Sequence, residues 1–127
     1  MIDSFPILQS KALADVSVVT PCKNCSEYIE QCLSSVHHQH IKPREHIVID
    51  GASVDGTVNI LTKSYNSGGL TFFVSEPDSG ISYAFNKGIT LSSSKYVCFL
   101  NSDDRLTPDH FLFANEGMLR DYDIIIS

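Results

Sequence analysis

No stretch of the 127-residue sequence is apolar for long enough to cross a bilayer as a helix. The first residues also lack the basic-then-apolar order of a secretory signal. Together these absences make a soluble, cytoplasmic protein the expectation. Basic clusters are missing too: nine Lys and Arg stand against fifteen Asp and Glu, for a formal net charge of −6. A nucleic-acid backbone needs basic surface, so nucleic acid is excluded as a partner. A bare anionic ligand is equally disfavoured unless a metal ion or helix N-termini supply positive potential locally. Internal repeats and low-complexity segments are absent. Cysteine is sparse, with Cys22, Cys25, Cys32 and Cys98. Cys32 and Cys98 fall on apolar faces and read as small core residues.

What is present is an ordinary globular composition, 43% hydrophobic and 19% charged, in a chain long enough for one domain with a core. Residues 1–14 show no clear period and read as a leader or edge segment; 15–127 read as one domain. Val16–Thr20 is a β-branched run, closed by Pro21. Asn24 and Glu27 have the spacing of a capping box, ahead of Ile29, Cys32, Leu33 and Val36 at helical intervals. That helix fades in His37-His38-Gln39-His40, before Pro43. His46–Asp50 reads as a second strand, Val58, Leu61 and Tyr65 as the face of a second helix, and Leu70–Val74 as a third strand. A helix through Ile81, Ala84, Phe85, Gly88 and Leu91 precedes a fourth strand, Tyr96–Leu100. Thr107-Pro108 opens a further helix placing Phe111, Leu112, Met118 and Leu119 inward, and Asp123–Ser127 reads as a last strand. Strand and helix alternate throughout. The expected fold is α/β, Rossmann-like, with a mostly parallel sheet and helices on both faces.

In a parallel sheet the strands all end on one edge. Thr20-Pro21-Cys22, Asp50, Glu76 with Asp78, and Asn101-Ser102-Asp103-Asp104 then converge where open α/β sheets bind ligands. A solvated acidic turn accounts for Asp103 and Asp104 taken alone, but not for this convergence. A crevice lined by Asp50, Asp78, Asp103 and Asp104 repels phosphate unless Mg²⁺ or Mn²⁺ bridges carboxylate and phosphate oxygens. The remaining carboxylates can accept hydrogen bonds from a base or ribose. The residues therefore suggest a metal-assisted nucleotide-diphosphate site.

Val16–Cys22, Asp50-Gly51-Ala52-Ser53-Val54-Asp55-Gly56-Thr57, Glu76-Pro77-Asp78-Ser79-Gly80-Ile81, Asn86-Lys87-Gly88 and Asn101-Ser102-Asp103-Asp104 follow one another in register. In that order they resemble the family 2 glycosyltransferases of GT-A fold, in particular the bacterial enzymes of surface-polysaccharide assembly. The resemblance implies a nucleotide-diphosphate sugar donor, a UDP-sugar favoured, and inverting transfer to a hydroxyl of a glycan or lipid-linked acceptor. It places Thr20, Pro21 and Cys22 beside the nucleotide and Asp50 on the base. It puts Asp103 on the ribose or in the metal shell, and Asp104 on the metal. Asp78, Asn86 and Lys87 join the donor site with less defined roles; helix packing accounts for Asn86 and a solvated face for Lys87 equally well. Lys23 stands where the family usually has an aromatic residue, so contacts to base or ribose there differ. Family members are typically about twice this length, and their second half supplies the acceptor site and the general base. The chain thus reads as the truncated, donor-binding part, with the base expected beyond Ser127. The full-length protein would then associate peripherally with the inner face of the membrane.

Other chemistries compete for particular residues. Cys22-Lys23-Asn24-Cys25 fits a thioredoxin-like redox motif, but the strand–helix order that follows does not suit that fold. Zinc held by Cys22, Cys25 and two of His37, His38 and His40 would need ligands about 15–20 Å apart along one helix. A receiver domain needs its acidic pair after the first strand, where Thr20-Pro21 stands. A non-catalytic sugar-nucleotide-binding or scaffold module is the main alternative.

Overall fold

A computed structural model describes residues 13–111 and 124–126. Five parallel strands form one sheet: β1 (Leu13–Cys22), β2 (Lys42–Asp50), β3 (Phe72–Ser75), β4 (Tyr96–Phe99) and β5 (Ile124–Ile126), in the spatial order β3-β2-β1-β4-β5. Among the described residues three helices connect the first four strands: α1 (Ile29–His37), α2 (Thr57–Asn66) and α3 (Ile81–Leu91). The α/β parallel expectation holds. The inward side of the helix expected after Pro108 lies outside the described residues beyond Phe111, which is buried at the end of a turn.

Side chains on successive positions of β1 divide the core. Val16, Val18 and Cys22 point to the face covered by α1 and α2, where they cluster with Ile29, Cys32, Leu33, Val48 and Leu61. The opposite face receives α3, whose Ala84 packs with Ile47 and Ile49 of β2. Gly88 lets α3 sit directly on β1. A Cβ there would stand 2.9 Å from Val19 Cγ2 and 3.1 Å from Val19 Cβ, closer than real side chains pack. No helix among the described residues is long and apolar enough to cross a membrane.

Several boundaries move. β1 begins at Leu13, so the last residues of the supposed leader belong to the sheet. A register shift lies between Ala14 and Ser17, and the Asp15 carboxylate there accepts hydrogen bonds from Arg44 Nε and the Lys95 N–H, both at 3.1 Å. Pro21 does not end the strand: Pro21 and Cys22 still pair with Ile49 and Asp50. The reason lies in which neighbour each residue bonds. The Leu100 N–H donates to the Val19 carbonyl, so Val19, and with it Pro21 two residues on, faces the β4 side. Pairing of β1 with β4 stops at Val19 and Phe99, so the missing N–H of Pro21 falls where the ladder has already ended. The capping box is also corrected. α1 starts after Tyr28 with no side-chain cap, and Asn24 is engaged elsewhere.

Candidate active site

The sheet order reverses at β1: β2 and β3 extend on one side, β4 and β5 on the other. Connections leave in opposite directions there, and a crevice opens beyond the carboxyl ends of β1 and β4. A cavity of about 550 Å³ lies at this point. Its walls include Pro21 to Cys25, Tyr28, Asp78, and Asn101 to Asp103. Loops from β1, β3 and β4 thus meet in one concave site.

The β1 loop is heavily constrained. Cys22 and Cys25 are joined by a disulfide, with their Cα atoms 6.3 Å apart. Between them Asn24 adopts a left-handed backbone, φ +50°, which asparagine tolerates better than most residues. Its N–H donates to Ser53 Oγ (2.7 Å), and its side-chain oxygen accepts from the Val54 N–H (2.8 Å). The Cys25 N–H donates to Thr57 Oγ1 at 3.0 Å. The Asp55 carboxylate accepts from the Ser26 N–H (3.2 Å) and from the Thr57 N–H (2.9 Å) and hydroxyl (2.5 Å). Those bonds, the Thr57 hydroxyl above all, pull its pKa down to about 2. The loops after β1 and β2 therefore form one cross-bonded unit.

Asp50 is fully buried at the end of β2. One oxygen accepts from Ser53 Oγ (2.5 Å); the other accepts from the Ser53 N–H (2.9 Å) and from Ser75 Oγ (2.7 Å). Its donors come from its own loop and from β3, and it does not line the cavity. Asp78 does. Its carboxylate accepts from the Gly80 N–H at 3.0 Å and lies against Gly51, where a Cβ would come within 3.1 Å of Oδ2. Glycine at 51 is what allows the two loops to approach.

At the end of β4 the Asp104 N–H donates to the Asn101 carbonyl (3.0 Å), closing a tight turn that leaves both Asp103 and Asp104 exposed. Asp103 lines the cavity; Asp104 stands beside it. Neither forms an ion pair among the described residues. The same carbonyl accepts a weak bond from the Cys32 thiol, 3.8 Å away. Burial drives that thiol's pKa up to about 12, the Thr20 bond opposes this, and the charges of Asp104 and Asp103 raise it further.

Thr20 is the largest departure among the expected site residues. Its side chain is buried on the α1 face, where its hydroxyl meets His46 Nε2 at 2.8 Å and Cys32 Sγ at 3.9 Å. It supports the site from behind rather than lining it. Asn86 is exposed on α3, and its side chain does not reach the cavity wall. Lys87 pairs with Glu76 and lies 5.8 Å over the Tyr83 ring. Sequence reasoning missed Tyr28, Ser53 and Ser75. Only Ser53 left a local signal: serine three residues after an aspartate commonly closes a side-chain turn.

Among the described residues no three His, Cys, Asp or Glu side chains are grouped to hold a metal. The zinc alternative, already opposed by the separation of its ligands along one helix, is opposed by their contacts as well. Cys22 and Cys25 are spent on each other, His38 Nδ1 lies 2.9 Å from the Ser34 carbonyl, and His40 pairs with Asp109. The donor set does fit a hard cation that arrives with a diphosphate. Such ions take one or two carboxylates from the protein and fill their remaining positions with phosphate oxygens and water.

Residues 17–126 match the sequence profile of glycosyl transferase family 2. The chain belongs to glycosyltransferase family 2. It is 37% identical over 94 residues to a chondroitin synthase of Escherichia coli, covering 74% of this chain and 14% of that protein. It is 38% identical over 95 residues to the putative teichuronic acid biosynthesis glycosyltransferase TuaG of Bacillus subtilis, covering 74% and 38% respectively. Among solved structures, residues 1–349 of TarS from S. aureus in complex with UDP-GlcNAc superpose with a TM-score of 0.66 at 25% identity, over 76% of this chain and 28% of that one. The mannosyltransferase PcManGT of Pyrobaculum calidifontis, in complex with GDP-Man and Mn²⁺, gives 0.72 at 22% identity, over 94% and 41%, a likeness of fold. This family 2 chain thus spans well under half of each of these relatives.

Proposed function

We propose that this family 2 domain binds a nucleotide-diphosphate sugar with a divalent cation and presents the sugar for inverting transfer to a hydroxyl of a growing glycan. The observation that carries the reading is the cavity at the β1/β4 switch point, which gathers Asp78, Asp103 and the Cys22–Cys25 loop from three separate connections. Family membership and the UDP-sugar complex of TarS support the donor class, with UDP favoured as the nucleotide.

Asp104 and Asp103 would hold Mg²⁺ or Mn²⁺, which neutralises the diphosphate as it departs. Asp103 also offers an acceptor to ribose hydroxyls. Asp50 acts through its loop: its carboxylate fixes Ser53, which holds Asn24 and so shapes the cavity wall. Lys23 is the one cation of the wall among the described residues. Inversion needs a base within hydrogen-bond reach of the acceptor hydroxyl. We assign that role to no described residue, because the lining carboxylates are committed to the donor side.

Calorimetry with UDP and Mn²⁺ tests the reading. Binding that requires the cation and is lost in Asp104→Ala supports it. Absence of UDP and GDP binding with either Mg²⁺ or Mn²⁺ contradicts it, and leaves a structural or scaffolding role.

A further inference from the structure

Cys22 and Lys23 follow the Thr-Pro step, so the β1 end offers no aromatic surface to a nucleobase. Among the described residues the cavity nevertheless contains one aromatic side chain, Tyr28, from the turn that leads into α1. We propose that Tyr28 is the stacking platform for the donor's nucleobase, and so a residue that sets the site's affinity for the nucleoside. This rests on the donor-binding reading above.

Three observations carry it. First, Tyr28 is 47% exposed although it borders the buried core, with Ile29 next to it fully buried. Second, its ring is not used by the fold. The other exposed tyrosines among the described residues have neighbours: Tyr65 packs edge-on to Phe73 with centroids 6.3 Å apart, and Tyr83 lies under Lys87. Tyr28 has neither an aromatic nor a cationic partner among the described residues, and its hydroxyl makes no hydrogen bond there. Third, its backbone is held from both sides. The Tyr28 N–H donates to the Cys25 carbonyl (3.0 Å), and the Tyr28 carbonyl accepts from the Cys32 N–H (3.3 Å). Cys25 is tied in turn to Cys22 by the disulfide and to Thr57 by a hydrogen bond.

An amphipathic ring placed in a cavity on a fixed backbone loses little freedom when a base docks on it. Stacking tolerates any base, because each has a π face. The platform thus contributes affinity for the base as a class, while the polar wall of Lys23, Asn24 and Asp78 distinguishes one base edge from another.

The test compares UDP, GDP and inorganic pyrophosphate, each with Mg²⁺, on the wild-type chain, Tyr28→Ala and Tyr28→Phe. Tyr28→Ala is expected to weaken UDP and GDP by about 5- to 150-fold, the range for losing one base–aromatic stack. Pyrophosphate binding should stay within about twofold, and Tyr28→Phe should stay close to wild type, since the ring is kept. On wild type, bound UDP should show upfield-shifted uracil protons that revert in Tyr28→Ala, a signature that a structural role would not produce. Unchanged UDP affinity in Tyr28→Ala, or an equal loss for UDP and pyrophosphate, overturns the proposal while leaving the donor site standing. Failure of wild type to bind either nucleotide overturns both.

Discussion

His46 makes the stability of the domain sensitive to mild acid. The residue lies buried on β2, with Nε2 held by the Thr20 hydroxyl at 2.8 Å and Nδ1 without a hydrogen-bond partner among the described residues. Burial alone lowers its pKa from 6.5 to about 3, since an imidazolium there would lose its hydration with no carboxylate to replace it. In the unfolded chain the same ring titrates near its ordinary value. Between those two pKa values the unfolded state binds a proton that the folded state refuses, so stability rises with pH. The contribution is complete above about pH 6.5 and falls by about 1.4 kcal/mol for each unit below it. At pH 5 the loss is about 2 kcal/mol, a large share of the 5–15 kcal/mol typical of a domain. Urea unfolding followed by circular dichroism at pH 7.5, 6 and 5 measures it, on wild type and on His46→Gln. The variant should be less stable at pH 7.5, having lost a fitted ring, but should shed most of the slope between pH 6 and pH 5. His37 and His110, whose pKa values are also lowered by burial, contribute to both proteins and cancel in the difference. Asp55 acts only at lower pH: its depressed pKa makes its contribution present above about 4 and lost toward 2. Equal slopes for wild type and variant would refute the reasoning.

Gly88→Ala should cost about 1–3 kcal/mol by driving a methyl group into Val19, and Val19→Ala should recover part of that loss in a double-mutant cycle read by thermal unfolding. Iodoacetamide should leave the native chain unmodified, label Cys32 and Cys98 after unfolding without reductant, and label all four cysteines only after reduction. Mass spectrometry distinguishes this from a chain with free thiols at Cys22 and Cys25. Lys23→Met should weaken UDP binding about fivefold at low salt and less at high salt, as expected for one exposed charge; a salt-independent effect would point to packing instead.

The fold was legible in the sequence because its signals are local and repeated. Apolar runs ending at Thr20, Asp50 and Leu100, separated by helical periods, leave little choice but a parallel α/β sheet. The gathering of Asp78 and Asp103 was legible for the same reason, since parallel strands share one carboxyl edge. Boundaries were harder. Pro21 looked like a stop, yet a proline is harmless once its side of the ladder has ended, and that depends on where β4 lies. Thr20 looked like a ligand from its place in a motif. Strand alternation turns it inward, and its contact with His46 spans 26 residues of chain. Asn24 and Glu27 met the spacing of a capping box, but Ser53 and Val54 of the next loop compete successfully for Asn24. Each miss involves a partner distant in sequence, which no local pattern can announce.

Paramagnetic relaxation by Mn²⁺ tests the central claim most directly, because it reports where the cation goes as well as whether it binds. In ¹⁵N-labelled protein titrated with Mn²⁺ and UDP together, the amide signals of Cys22 to Cys25, Asp78 to Gly80 and Asn101 to Asp104 should broaden first. Those of Ser67 to Gly69, at the far end of α2, should persist. Broadening centred on the groove between α1 and α2, or broadening at Asn101 to Asp104 that is indifferent to UDP, would contradict a shared metal–diphosphate site at the ends of β1 and β4.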